Sequence, residues 1–519
     1  MPGWPRVQRR HGLLRQLTVT RQVIKLGSSS IASRDGLALD VIAGLVSQIA
    51  AAQRAGHEII LVTSGASRLG RRLLAFEGPT AGAAPALRAL VGSVRSAVDD
   101  AAGASAPAGA RAHERLVGSL TETLRRYDQP EDSAAQPLDP ALPASVGQPA
   151  LMALYRQLAA AVGVEVGQIL VSRSDLASAR AMADLGQLLR EACGRGLLPV
   201  VNGNDATDPL SALDNDQVAV AVAVAAEATR LLFLTDVRAA YRDASLTDRI
   251  ARLSPAEARA VRVTVGGTGR GGMGSKLGAA ARAACCGVEC IVGSAREPDV
   301  VARSLNPRAR MGTVVPAAGP LLDPSRRWIG GIAYSEGSVH VNREAESSLR
   351  TGSTLFLSGV KRVDGEFAAG SVVELLDVRH PERLLGRGSV ALPSSILRLL
   401  RALSPLQVAC VISVLLRLRY AGESDAAALT DPAVYADSRE LATGDSRASK
   451  EAFAQLATLS PERVADLGDA LFLAQPALCA TFLIHGGFLH GQVPAEEAAR
   501  RVFRDIHAVH RESLVVYPA

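Results

Sequence analysis

The 519-residue chain has little of what marks several large classes of protein. Its six cysteines form no set of paired, closely spaced ligand motifs, which argues against a zinc site or a disulfide scaffold. Aromatic residues make up 3% of the chain, which is few for a surface that stacks nucleic acid bases. Neither an apolar run of 18 residues nor the apolar core of a signal peptide occurs, so we expect a cytoplasmic protein that does not contact a membrane.

Lysine is also scarce. Of the 57 basic residues only four are lysine, at positions Lys25, Lys276, Lys361 and Lys450. The net charge of +6 is small for a chain of this length and does not by itself predict binding to nucleic acid. A chain that uses arginine almost everywhere is expected to retain lysine where a compact ammonium group is needed. Chance explains Lys450 equally well, whereas the other three lysines fall inside sequence motifs.

The first 310 residues alternate between short apolar runs and stretches with helical periodicity. After an N-terminal extension at 1–20, this pattern predicts an α/β domain at 21–315. Its open, mainly parallel sheet is covered by helices on both faces. The predicted strands are Gln22–Leu26, Glu58–Thr63, Val164–Val171, Leu197–Asn202, Leu231–Thr235 and Val288–Val292. The predicted helices include Ala177–Arg195 and Val218–Thr229. A segment rich in Ala, Pro and Ser, at 78–145, is predicted to be an insertion on the surface.

The rest of the chain changes character twice. Short alternating strands separated by Gly and Asp turns predict a small β-rich domain at 325–395. From 396 to 519 the apolar residues recur at helical spacing, so we expect an α-helical C-terminal extension. Its predicted helices include Ala452–Leu459, Arg463–Leu473 and Ala495–His510.

Two motifs combine a lysine with glycine. Lys25 ends the first predicted strand and is followed by Gly27 and two serines, whose backbone N–H groups are suited to phosphate. Lys276 ends the segment Gly266–Lys276, which contains six glycines and directly precedes a predicted helix. The spacing differs from that of a P-loop. Each motif alone is compatible with a surface lysine or a linker, but both point to phosphoryl groups.

Polar residues follow the other predicted strands. They are Thr63-Ser64-Gly65, Asn202-Gly203-Asn204-Asp205 with Asp214-Asn215-Asp216, and Thr235-Asp236. Ligands of parallel sheets bind at the carboxyl ends of the strands. The acidic and amide groups suit an amino-acid ammonium or Mg²⁺ on phosphates, although each cluster alone is also typical of a helix cap or a turn.

In their order and spacing, these motifs resemble those of the glutamate 5-kinases, a branch of the amino-acid kinase family. The matching pieces are VIKLGSSS, IILVTSGASRLG, VGQPALMALYRQLAA, VGQILVSRSDL, LLPVVNGNDA, LDND, LLFLTDVRAAY and GTGRGGMGSKL. The segments RRWIGGIAYSEGSVHVN and LFLSGVKRVDGEFAAGSVVEL resemble the PUA domain that many of these kinases carry. The chain departs from the family pattern at Gly203, where an acidic residue is usual, and at Leu213, where glycine is usual.

The resemblance implies an enzyme that phosphorylates the γ-carboxylate of L-glutamate with ATP and Mg²⁺, the first step of proline biosynthesis. The implied catalytic residues are Lys25, Lys276 and Asp205, and the implied substrate-binding residues are Ser64, Asp205 and Asn215. The implied ATP-binding residues are Lys25, Thr235, Asp236, Arg270, Gly271, Gly272, Met273, Gly274, Ser275 and Lys276. No metal is expected to be bound by the protein itself, since Mg²⁺ would arrive with ATP.

The resemblance also implies partners and leaves two alternatives open. We expect a homo-oligomer, functional coupling to a glutamyl phosphate reductase, and, with weaker support, RNA binding through the PUA-like domain. One alternative is a related kinase that forms an acyl phosphate on a glutamate derivative in a specialised pathway. The other is an RNA-binding or regulatory protein that acts through the PUA-like domain.

Overall fold

The computed structural model describes residues 20–33, 36–74, 139, 141–208, 214–243, 245–261, 272–401 and 507–518. The first domain contains a seven-stranded sheet with the order β7-β6-β5-β1-β2-β4-β3, in which all neighbours are parallel except β7, which is antiparallel to β6. Its strands are β1 (Arg21–Leu26), β2 (Glu58–Val62), β3 (Val166–Val171), β4 (Leu198–Gly203), β5 (Arg230–Thr235), β6 (Glu289–Ser294) and β7 (Thr313–Val315). The predicted α/β fold with a mainly parallel sheet is confirmed.

Helices cover both faces of this sheet. They are α1 (Ser28–Ile31), α2 (Leu39–Arg54), α3 (Ala66–Leu74), α4 (Ala141–Ala160), α5 (Arg173–Ala177), α6 (Ala179–Gly194), α7 (Asn215–Ala225), α8 (Pro255–Ala260), α9 (Met273–Cys285), α10 (Val300–Leu305) and α11 (Pro324–Arg327). Side chains of β1 alternate between two cores: Val23 packs with α6, α7 and α9, and Ile24 packs with α2, α4 and α10. Strands buried on both faces are continuously apolar, which is why the sequence pattern located them well.

Helices α3 and α4 approach each other unusually closely. A Cβ atom added to Gly147 would lie 1.8 Å from the carbonyl oxygen of Ala66, and one added to Gly70 would lie 1.7 Å from that of Pro143. Glycine is therefore required at both positions, because any side chain would separate the helices. The crossing fixes α3 directly behind the loop that carries Ser64.

The second domain contains a six-stranded sheet with the order β9-β13-β12-β11-β8-β10. Its strands are β8 (Gly337–Val341), β9 (Leu355–Phe356), β10 (Val360–Asp364), β11 (Val372–Asp377), β12 (Leu384–Val390) and β13 (His507–Val516). Helix α12 (Arg343–Arg350) follows β8, and helix α13 (Ser394–Leu400) follows β12. The small β-rich domain predicted from the sequence is thus present.

Strand β13 contradicts one prediction. The sequence pattern predicted a helix through His510, whereas His507–Val516 is a strand between β9 and β12. Its hydrogen-bonding partners precede it by more than a hundred residues, and such a long-range pairing overrides local helical periodicity. The predicted helical extension 396–519 is therefore wrong at its C-terminal end, while 402–506 lies outside the described residues.

Three other boundaries also differ from the predictions. The predicted insertion 78–145 ends too late, because α4 begins at Ala141; its part at 78–138 lies outside the described residues. The predicted helix Ala177–Arg195 corresponds to α6 and begins two residues later, at Ala179, because the side chain of Ser178 caps α6 by accepting from the N–H of Ala181. The predicted helix Val218–Thr229 begins earlier, at Asn215, because Asp214 caps it.

The end of β13 connects the two domains. The Tyr517 hydroxyl donates to the carbonyl of Gly330 at 2.8 Å, and the guanidinium of Arg259 lies 4.8 Å from the centre of the Tyr517 ring. Arg387 of β12 donates to the carbonyl of Ile329, in the π-helical turn 328–332, and to that of Ala333, which directly follows the turn. The turn 328–332 leads from the first domain to the second, so the C-terminal strand stabilises the junction between them.

Tyr517 provides a test of this junction. Tyr517→Ala removes a side chain that is 1% exposed, so we expect a loss of about 3–5 kcal/mol in the free energy of unfolding. Tyr517→Phe removes only the hydroxyl and should cost about 1 kcal/mol. Urea unfolding followed by tryptophan fluorescence is suitable, because Trp328 lies in the contacted turn. Equal, small effects of the two substitutions would contradict this role of Tyr517.

Candidate active site

The predicted site residues come together at one edge of the parallel sheet. Lys25 lies near the end of β1, Ser64 follows β2, Asp205 follows β4, and Thr235 ends β5. Because the carboxyl ends of parallel strands face the same way, these four positions share an edge although they are far apart in sequence. Asn215, in the first turn of α7, and Lys276, in the first turn of α9, lie at the same edge. There Asn215 forms a hydrogen bond with Ser64, and Lys276 forms an ion pair with Asp216.

Lys25 and Lys276 meet at one carboxylate. The Nζ atom of Lys25 lies 2.6 Å from Oδ1 of Asp216, and the Nζ atom of Lys276 lies 3.4 Å from Oδ2 of the same side chain. Asp216 is completely buried, and the two lysines are 4% and 5% exposed. Charged groups are buried at such cost only when they are paired, so the shared carboxylate is what keeps both ammonium groups at this position.

The charge state of Lys25 reflects this balance. Burial lowers the pKa of Lys25 below its ordinary value, Asp216 raises it, and the neighbouring ammonium of Lys276 lowers it again. Asp216 therefore opposes the loss of a proton that burial would otherwise favour. Two ammonium groups held side by side in a buried setting are well placed to attract an approaching polyanion.

Ser64, Asn215 and Asp205 form the neighbouring part of the site. Asn215 donates from Nδ2 to Oγ of Ser64 at 2.8 Å, and Ser64 donates to the carbonyl of Leu26 at 3.3 Å. The Ser67 hydroxyl donates to Asp205 at 3.5 Å, and burial raises the pKa of Asp205 above its usual value. Two buried hydrogen bonds to helix α4 stabilise the strand ends behind these residues. Asn202, in β4, donates from Nδ2 to Gln148, and the hydroxyls of Thr63, directly after β2, and Tyr155 share a hydrogen bond.

Gly203 lies between the acidic and amide groups of this part of the site. A Cβ atom added there would lie 3.1 Å from Oδ1 of Asp205 and 3.7 Å from Oδ1 of Asn215. A side chain at Gly203 would therefore crowd the carboxylate of Asp205, and glycine allows that carboxylate to lie close to the backbone at the end of β4.

The first turn of α9 supplies the other half of the site. Gly272 precedes it without a side-chain cap, Gly274 is surrounded by open space, and Ser275 donates to Oδ2 of Asp214 at 2.7 Å. Uncapped N–H groups at a helix N-terminus, beside Lys276, fit the phosphates of a nucleotide. Met273, by contrast, is buried in the core, so only its backbone is available to a ligand.

Thr235 and Asp236 lie next to each other at the end of β5. The Thr235 hydroxyl donates to Oδ1 of Asp236 at 2.7 Å, with Thr235 buried and Asp236 exposed. The predicted ATP-binding residues Arg270 and Gly271 lie outside the described residues. Lys361, the third lysine within a motif, is on β10 of the second domain and is not part of this site.

Asp216 is the functional residue that the sequence analysis did not single out. It was noted only as part of a polar cluster, because an acidic residue at the start of a helix is typical of a cap. In the structure Asp214 is the cap, and it accepts from the N–H of Asp216 at 3.0 Å. A signal was present: the second of two aspartates, two residues apart, lies in the first turn of the buried, apolar helix α7.

Comparisons with known proteins agree with this architecture. The model of the amino acid kinase family matches residues 20–294, and the model of the PUA domain matches residues 337–403. A glutamate 5-kinase of Thioalkalivibrio sulfidiphilus is 30% identical over 368 residues, which are 69% of this chain and 84% of the relative. One of Gloeobacter violaceus is 31% identical over 405 residues, or 76% and 94%. Glutamate 5-kinase 2 of Bacillus subtilis is 28% identical over 382 residues, or 71% and 88%.

In the part of the chain that the structure describes, no helix has both the length and the apolar character needed to cross a bilayer.

Lys276→Ala tests the ammonium pair directly. We expect kcat for phosphoryl transfer to fall on the order of a hundredfold, because the group would stabilise charge that develops in the transition state. Lys361→Ala is the matched control: it makes the same substitution at an exposed lysine of the second domain and should leave kcat unchanged. Near-normal turnover of Lys276→Ala would remove Lys276 from the catalytic residues.

Asp216→Asn tests the shared carboxylate by its pH dependence. Without the negative charge, the pKa of Lys25 should fall further, since burial and Lys276 both lower it and Asp216 opposes them. The protonated form is then lost at lower pH, so the alkaline limb of the kcat/KM profile should move to lower pH, along with a loss of activity. An unchanged alkaline limb would mean that Asp216 does not set the charge of Lys25.

Proposed function

The chain belongs to the amino acid kinase family, and from this premise we propose that it transfers a phosphoryl group from ATP to the γ-carboxylate of L-glutamate. The reaction is the one that the names of its curated relatives state, and it would form glutamyl 5-phosphate for proline biosynthesis. The observation that supports it most directly is the meeting of Lys25 and Lys276 at Asp216, beside the Ser64–Asn215 pair.

The proposed division of the site follows the two halves described above. Ser64, Asp205 and Asn215 would bind the acid, with the carboxylate of Asp205 available to its ammonium group. Thr235, Asp236 and the segment Arg270–Lys276 would bind ATP, whose phosphates would carry Mg²⁺. The acid-binding and phosphate-binding halves meet at the start of α7, where Asn215 and Asp216 are consecutive residues.

The chemistry requires little more than positioning and charge. A γ-carboxylate has an ordinary pKa of about 4.3, so at neutral pH it is already a nucleophile and needs no general base. Lys25 and Lys276 would neutralise the charge on the transferring phosphoryl group and its leaving oxygen. Asp216 would hold both ammonium groups in place before substrate arrives, so that little reorganisation is needed during the reaction.

One observation favours a second candidate, a related kinase that acts on a glutamate derivative. Gly203 lies beside Asp205 and Asn215, where the proposed substrate ammonium would bind, and it brings no acidic side chain of its own to that ammonium. An N-acylated glutamate lacks the positive charge, and it would have less need for the acidic side chain that is usual at this position.

The two candidates are separated by incubating the protein with ATP, Mg²⁺ and hydroxylamine, which traps acyl phosphates as hydroxamates. We expect kcat/KM for L-glutamate to exceed that for N-acetylglutamate, by on the order of a hundredfold when a substrate ammonium is recognised by a buried partner. Aspartate is the control for chain length. A preference for the N-acylated acid would replace the first candidate by the second.

Gly203→Ala sharpens this comparison. The added methyl would lie 3.1 Å from the carboxylate of Asp205 and displace it, so glutamate, whose ammonium group Asp205 would bind, should lose more kcat/KM than an N-acylated acid does. Equal losses for both acids would leave Gly203 without a role in specificity. Four expectations from the sequence remain predictions: that the protein is a homo-oligomer, that it is functionally coupled to a glutamyl phosphate reductase, that the PUA-like domain binds RNA, and that the protein is cytoplasmic.

A further inference from the structure

The second domain contains a basic pocket that has no part in the proposed reaction. A cavity of about 550 Å³ lies between helix α12 and the turn that joins β11 to β12. Its lining consists of Arg343, Glu346, Ser347, Arg350, Arg379, His380 and Arg383. Four of these seven residues are arginines, and none is Phe, Tyr, Trp or an aliphatic residue. This composition is unusual for a surface depression and indicates an anionic ligand.

Two buried carboxylates hold three of the arginines in place. Arg379 lies 2.8 Å from Oδ2 of Asp377 and 3.4 Å from Oε2 of Glu346, measured from Nη2. Arg383 and Arg350 lie 3.0 and 3.1 Å from Oε1 of Glu346. Asp377 is 1% exposed and Glu346 is 8% exposed, so both carboxylates lie beneath the guanidinium groups. The hydrogen bond from Arg379 holds the pKa of Asp377 below its usual value, which keeps it charged.

The guanidinium groups outnumber the carboxylates that hold them. The four arginines of the lining face two carboxylates, Glu346 and Asp377. Within the described residues Arg343, at the start of α12, forms no ion pair, and His380 is paired with Glu382 at 3.7 Å. The four arginines exceed Glu346 and Asp377 by two charges, and Glu382 lowers the net excess to about one where His380 is neutral, so the pocket is suited to an anion such as a phosphate group.

We propose that this pocket binds the phosphate group of a small molecule, either orthophosphate or a phosphate monoester. Guanidinium groups that are already fixed by buried carboxylates lose little freedom on binding, and their planar donors match phosphate oxygens. The cavity has the size of a small-molecule site. A single-stranded nucleic acid would instead need an extended basic groove with several aromatic side chains for stacking, and the lining offers no Phe, Tyr or Trp.

The test is calorimetric titration of the full chain with inorganic phosphate at fixed ionic strength, in the presence of saturating ADP to occupy the kinase site. Arg343→Gln removes the arginine without leaving a buried carboxylate unpaired, so the protein should fold normally. We expect it to weaken phosphate binding by about tenfold or more and to leave kcat unchanged. Arg362→Gln, on β10 of the same domain and outside the lining, is the matched control and should change nothing.

Further arms identify the source of the phosphate. A parallel titration with glycerol 3-phosphate distinguishes a monoester from the free ion, according to which binds more tightly, and either result supports the pocket. The proposal would be overturned if the wild type and Arg343→Gln bound phosphate equally tightly. It would also be overturned if Arg362→Gln weakened phosphate binding as much as Arg343→Gln does, because the anion would then be attracted only by the general positive charge of the domain. Binding of a short single-stranded RNA at least a hundredfold more tightly than phosphate, with loss in Arg343→Gln, would overturn it in favour of a nucleic acid surface.

Discussion

The buried carboxylate of Asp216 is the interaction on which the site depends. Without it, the ammonium groups of Lys25 and Lys276 would lie together in a poorly solvated place, where burial and the neighbouring ammonium both lower the pKa of Lys25. The same side chain ties together three elements: strand β1, helix α7 and helix α9. Lys25 and Asp216, which are nearly two hundred residues apart in sequence, are thus in direct contact, and Lys276 binds the same carboxylate. The helices and strands behind these three side chains have to be rigid enough to keep the ion pairs intact.

The parallel sheet supplies this rigidity and also explains how the site was assembled. Four parallel strands, β1, β2, β4 and β5, each place a short polar segment at the same edge, and helices α7 and α9 begin there. The close crossing of α3 and α4 lies directly behind the Ser64 loop, and Asn215 donates to Ser64 from α7. In the proposed reaction the two substrates would be bound by separate loops of this single scaffold.

The sequence predicted most of this architecture, for identifiable reasons. Strands such as β1 and β5 are apolar on both faces, and glycine and lysine at their ends stand out in a chain with only four lysines. Asp216 was missed because its role depends on two side chains brought to it by tertiary structure. Strand β13 was missed for a related reason: its apolar residues fit a helix locally, and only pairing with β12 makes it a strand. Local patterns contain little information about partners that are distant in the chain.

The position of β13 has a consequence for how the protein is made. This strand lies inside the second sheet, between β9 and β12, although it is synthesised last, after the whole stretch that follows α13. Ribosomes add roughly 5–20 residues per second, so β12 emerges several seconds before the strand that covers its edge. During that interval the edge of β12 offers unpaired backbone groups to any other extended chain. The first domain can complete its own sheet in the meantime, whereas the second sheet is completed only when β13 has been synthesised. Termination of synthesis between α13 and β13 would therefore leave a folded kinase domain attached to a β-sheet whose edge strand has unpaired backbone groups and is prone to aggregate.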